Sequence, residues 1–206
     1  MALDLASLVD PRHTALVTQE CQNGVIGGRA VFPALAEAAR REMIPNVSRL
    51  AKAARAAGVP VVHCLAVRRA DGLGASTNAR VFGAARKADV VLLPGSEAAQ
   101  VVAEIGVEDT DIVLSRLHGI GPMAGTDLDS VLRNLGASTI VGAGVSVNIG
   151  MTNFVMDAVN AGYQFVLPRD AVAGVPRDYA DAVIDNTLAL LATVATSEEI
   201  VATWSR

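Results

Sequence analysis

Glu20 closes an apolar run, Thr14 to Gln19. A carboxylate at the end of a buried strand must be desolvated or partnered, which makes it a candidate for acid–base chemistry. Further along, Ile140-Val141 lead into Gly142-Ala143-Gly144 and directly into a helical pattern. Such a strand-turn-helix corner aims free backbone N–H groups at whatever sits there. The corner carries no Cys, Lys or His; Ser146 is its only hydroxyl ahead of the helix, and Gly150 stands where a nucleophile could stand. Covalent catalysis needs a nucleophile and an adjacent, oriented base. Ser146 has no Gly-x-Ser-x-Gly elbow, and Glu20 would serve it poorly as a base. Cys21 follows Glu20 directly, so strand alternation points it to the opposite face, into the core. Cys64, within VVHCLA, is likewise expected to be core.

The elements that must position these groups alternate along the chain. Strands are expected at Thr14 to Gln19, Pro60 to Ala66, Asp111 to Ser115, Thr139 to Gly142, Gln164 to Leu167 and Thr193 to Thr196. Helices are expected around Pro45 to Ala57, Thr126 to Leu135, Ile149 to Ala161, Tyr179 to Leu191 and Glu198 to Trp204. Pro45 suits a first helical turn and Gly58 a C-terminal cap. The alternation predicts right-handed βαβ crossovers. The fold class is therefore α/β: a three-layer α/β/α sandwich, Rossmann-like, on a mostly parallel six-stranded sheet, with residues 1–206 as a single domain. Residues Arg68 to Gly95 form the least regular connection and are expected to loop over the site.

Composition agrees. Of 206 residues, 51% are hydrophobic and only 3% aromatic, so the core must be Ala, Val, Leu and Ile, as in parallel strands covered on both faces. A net charge of −4, with basic residues no more clustered than Arg68-Arg69, argues against nucleic acid. Mean hydropathy is +0.39, yet no apolar run reaches membrane-spanning length. The acidic start MALDLASLVDPRH gives no sign of a secretory signal. Two cysteines without CxxC spacing fit a reducing cytoplasm and no zinc site.

Three ordered segments resemble the isochorismatase-like (cysteine hydrolase) superfamily. They are Thr18-Gln19-Glu20-Cys21-Gln22-Asn23, Ile112 to Arg116, and Gly144-Val145-Ser146-Val147-Asn148-Ile149-Gly150, and the likeness runs on through Asp157-Ala158 and Arg169-Asp170-Ala171. The resemblance places Glu20 where these proteins commonly have Asp, Arg116 where they have Lys, and Gly150 where they have the nucleophilic Cys. It implies that the amidase chemistry of the thiol branch is absent. Isochorismatases proper carry glycine at that corner and use the acid to protonate a vinyl ether, which water then cleaves. It further implies a cis Val145–Ser146 peptide beside an oxyanion pocket.

On that resemblance the expected function is hydrolysis of a small, carboxylated metabolite by non-covalent acid–base catalysis. The catalytic positions are Glu20, Arg116 and Gly150; Gln22, His63, His118, Val145, Ser146 and Asn148 would line the substrate, and Arg80 and Phe82 could reach it. Arg116 could clamp a substrate carboxylate but cannot donate and recover a proton. Its charge would also favour the carboxylate form of a nearby Glu20, against acid catalysis. No cofactor or metal is expected, because His63 and His118 lack the superfamily's metal spacing. Apolar residues between Val183 and Leu191 point to a homo-oligomer, dimer or tetramer. The alternative is an inactive relative that binds a small metabolite or a partner protein. An amidase with a relocated thiol would instead use Cys21 or Cys64.

Overall fold

The computed structural model describes residues 4–205. Its centre is a parallel sheet built from β1 (Thr14–Gln19), β2 (Val61–Ala66), β3 (Ile112–Arg116), β4 (Thr139–Val145), β5 (Gln164–Pro168), β6 (Val172–Ala173) and β7 (Thr193–Ala195). The order is β3-β2-β1-β4-β5-β7, with β6 on β4. The sheet thus has seven strands rather than six. β5 pairs with Thr139 to Val141, and β6 takes up Gly144 and Val145 after a short turn. Two residues are too few to display a strand period, which is why β6 escapes a reading of the sequence.

Side-chain alternation divides the core. Leu16, Val141 and Val166 face a layer containing α1 (Leu5–Leu8), α4 (Ile44–Ala56) and α9 (Ser197–Trp204). Ala15, Val17, Ile140 and Phe165 face α6 (Leu128–Asn134), α7 (Thr152–Asn160) and α8 (Arg177–Asn186). The remaining helices are α2 (Asn23–Ile26), α3 (Pro33–Ala38) and α5 (Arg80–Arg86). The helix expected from Pro45 begins earlier, because α3 runs through a π-helical turn, Ala39–Met43, into α4. Pro45 has no N–H to offer a preceding carbonyl, and a widened turn just before it relieves that mismatch. Gly58 caps α4 at φ 72°.

The first three strands step from β1 towards β3 and the later ones from β4 towards β7, so the direction of winding reverses between β1 and β4. Open α/β sheets form a crevice beyond the strand ends at such a reversal. Gly144 sits on its floor at φ 121°, and a Cβ there would lie 2.1 Å from the Gln19 carbonyl oxygen. Both geometry and space forbid a side chain. Gly144→Ala should cost about 3 kcal/mol or more in chemical denaturation.

A buried polar chain braces the other half of the sheet. Thr18 Oγ1 meets His63 Nδ1 at 2.8 Å, His63 Nε2 meets Asp111 at 3.3 Å, and Arg55 donates to Asp111 at 2.6 Å. Burial holds the His63 imidazole below its ordinary value of 6.5 despite the opposing pull of Asp111. Burial pushes the Asp111 carboxyl up, but hydrogen bonds from Arg55 and the Glu108 amide bring it below 3.8. As pH falls through 6.5 the unfolded chain takes up a proton that native His63 refuses, so stability falls; above 6.5 this effect vanishes. Unfolding free energies between pH 8 and pH 5 should show this loss, at up to about 1.4 kcal/mol per pH unit, and His63→Gln should remove it.

Candidate active site

Glu20 is the first residue past β1 and has φ 56°, the only non-glycine positive φ among the described residues. Its amide donates to the Cys64 carbonyl at 2.9 Å, fixing the turn. Residues held in this region cluster at functional sites, since only the surrounding structure keeps them there. The side chain reaches the crevice and is 22% exposed.

Arg116 ends β3, two strands away, and its side chain is 5% exposed. Its Nη2 donates to a Glu20 carboxylate oxygen and, at 2.9 Å, to the Ile120 carbonyl. Gln19 Nε2 donates to the same carbonyl at 3.2 Å. A Cβ on Gly150 would lie 2.5 Å from Gln19 Nε2 and 3.1 Å from the Val145 carbonyl oxygen. The Gln19 amide therefore occupies space that a side chain at position 150 would need. Within this knot, Gln19 Oε1 and Arg116 Nε and Nη1 are buried with no partner.

The corner after β4 supplies the other wall. The Val145–Ser146 peptide is cis. A π-helical turn, Val147–Met151, then leads into α7, with the Met151 amide donating to the Ser146 carbonyl at 2.9 Å. Glu20, Ser146, Asn148 and Gly150 meet on a cavity of about 440 Å³. Its remaining walls are mostly apolar: Val25, Val31, Phe32, Leu35, Val81, Phe82, Leu92, Ile120 and Val175 among them. The connection at 68–95 does cover the site, through α5 and Leu92.

Several expected site residues lie elsewhere. His63 is buried mid-strand in the brace above and does not line the cavity; a central-strand position leaves its side chain no route to the strand ends. Gln22 is fully buried, donating to the Ala66 and Ala99 carbonyls and accepting from the Ala66 amide, so it braces the loop rather than meeting substrate. Val145 is core. His118 is exposed and lines a smaller neighbouring chamber. Phe82 reaches the cavity while Arg80 is exposed and does not. The apolar walls and the Gln19–Gly150 fit carry no spacing signal and are visible only in three dimensions. Among the described residues no group of three or more His, Cys, Asp and Glu could hold a metal.

Cys21 and Cys64 are free, buried, and on opposite faces of the sheet. Burial, with the Glu20 charge adding to it, pushes the Cys21 thiol up to about 12; burial likewise puts Cys64 at about 12. Neither is a ready thiolate. Iodoacetamide at pH 8 should leave the native protein unmodified by intact mass while alkylating both thiols after unfolding.

The isochorismatase domain model matches residues 14–199. The isochorismatase family protein YecD of Escherichia coli O157:H7 is 30% identical over 205 residues, 93% of this chain and 96% of that one. N-carbamoylsarcosine amidase of Arthrobacter sp is 28% identical over 130 residues, 63% of this chain and 49% of that one. Among solved structures, a cysteine hydrolase from Pseudomonas syringae pv. phaseolicola 1448A superposes with TM-score 0.81 at 22% identity, covering 100% of this chain and 99% of the other. With that domain running nearly end to end, and a parallel sheet whose strand ends carry its corner, the chain belongs to the isochorismatase family.

Proposed function

We propose that this chain is a hydrolase that works without a covalent intermediate, with Glu20 as its acid–base group. The observation that carries the reading is the Glu20 carboxylate, held by Arg116 and opening onto the cavity beside Gly150, which offers no side chain. The hydrolase class is supported by relatives such as the amidase named above. The missing nucleophile sets this chain apart from a thiol mechanism.

For a vinyl ether, protonated Glu20 gives its proton to the alkene carbon, and the ether carbon becomes an oxocarbenium. Water adds there and returns a proton to the Glu20 carboxylate, which Arg116 steadies. The hemiketal then breaks its C–O bond to give a ketone and an alcohol. Arg116 fills the role of fixed charge, since it cannot shuttle a proton. The Ser146 to Gly150 turn orients the substrate. Arg116 Nη2 is taken by Glu20 and the Ile120 carbonyl, so an anionic group of the substrate would meet Arg116 through Nε or Nη1 instead. Self-association and a cytoplasmic setting remain part of the proposal; Leu190, 82% exposed, supports the former, and two buried free cysteines the latter.

Isochorismate turnover by the purified protein, with Glu20→Gln in parallel, tests the reading. The expected result is measurable turnover that falls about 10²–10⁴-fold in the variant, assayed at a temperature where circular dichroism shows both proteins folded. The Gln19 amide packed into the place of a nucleophile favours the second reading, a ligand-binding relative without catalysis. Ligand binding with no turnover by either protein would establish that one instead.

A further inference from the structure

Beside the main cavity lies a smaller chamber of about 140 Å³, and the two share Val31, Ala66, Phe82, Ala85 and Leu92 as a common wall. Its lining includes Arg68, Arg86, Arg116 and His118, and no carboxylate. In a chain of net charge −4 this is a local reversal of sign. Among the described residues neither Arg68 nor Arg86 is in an ion pair with any acid.

The second observation is Arg116 itself. One of its terminal nitrogens serves Glu20 and the Ile120 carbonyl, while Nε and Nη1 are buried and unpartnered. Buried donors rarely go unsatisfied, and those of a guanidinium are the most costly to leave so. The group that satisfies them best is an anionic oxygen, which forms shorter and stronger hydrogen bonds with guanidinium than a neutral acceptor does. Three guanidinium groups against the single carboxylate of Glu20 leave the surroundings positive even when Glu20 is charged.

We propose that the smaller chamber is an anion subsite, and that the molecule taken by this protein is an amphiphilic organic acid. Its apolar body fills the larger cavity with the hydrolysable group at Glu20. Its anionic end sits at Arg68, Arg86 and Arg116. The two chambers adjoin along these five residues, so the proposal has one molecule span both. The assignment of the body rests on the Glu20 reading above, whereas the anion subsite is testable by binding alone.

Calorimetric titration with octanoate and with octanamide, which share the alkyl chain while only the first carries a charged head group, is the test. Octanoate should bind at least about tenfold more tightly, and less tightly as salt rises. Arg68→Ala combined with Arg86→Ala should weaken octanoate binding, shrinking that preference, and leave octanamide binding unchanged. Glu20→Gln, which frees Arg116 from its internal carboxylate, should bind octanoate more tightly. Octanamide matching octanoate, an unchanged octanoate affinity in the arginine variant, or no binding of either probe would overturn the subsite. If Glu20→Gln binds octanoate as expected but proves irrelevant to turnover, the catalytic reading fails and the subsite stands.

Discussion

A guanidinium shut away from water is the constraint around which the strand ends are organised. Taking such a charge out of solvent costs several kcal/mol unless it is paired and hydrogen-bonded. Arg116 finds Glu20 and the Ile120 carbonyl, and both must be brought to it. β3 and β1 are separated by β2, so the pair reaches across the C-terminal end of β2 and ties the segment following β3 over the crevice. Glu20 meets it by leaving β1 in the left-handed region, which turns its carboxylate over the strand ends. The pair says little for net stability, because desolvation offsets much of the attraction. Its consequence is positional: it holds one carboxylate at the reversal of the sheet, where ligands of α/β proteins bind.

The other face of the crevice follows from a packing exclusion. β1 and β4 run side by side with Gln19 opposite Gly144, so their ends are close enough to compete for space. Gly144 yields space to the Gln19 backbone, and Gly150 yields it to the Gln19 side-chain amide, by having no side chains. The glycine at 150 is therefore coupled to the glutamine at 19 through volume, and the two positions should be read as one feature.

The layers and the alternation of strands and helices were readable because their signals are local and repeated. Apolar runs of strand length, alternating with helical periods, specify a parallel α/β sandwich almost regardless of detail. Glu20, Ser146 and Asn148 were readable as crevice residues because each follows directly on a strand or its turn. His63 and Gln22 were misplaced for the same physical reason: a polar residue in or just past a strand looks alike whether it meets substrate or hydrogen-bonds inside the protein. Only the partners, Thr18 and Asp111 for one and Ala66 and Ala99 for the other, separate the cases. The cavity walls and the cluster of arginines come from segments far apart in sequence, and no spacing rule joins Arg68 and Arg86 to Arg116.

The three departures from the commoner family pattern make better sense together than apart. A thiolate at position 150 would need a neighbour able to exchange protons, a task for which lysine is suited and arginine is not. Once glycine stands there, proton exchange by the cation has no partner to serve, and a permanent positive charge loses nothing. The longer glutamate in place of aspartate gives the carboxylate the reach to meet that guanidinium where it lies, buried at the end of an edge strand. What the change leaves behind is a carboxylate steadied by a fixed cation and two guanidinium nitrogens with no partner inside the protein. On the proposed reading such a centre does without nucleophilic attack by a side chain, and keeps the means to manage protons on water and to attract an anion.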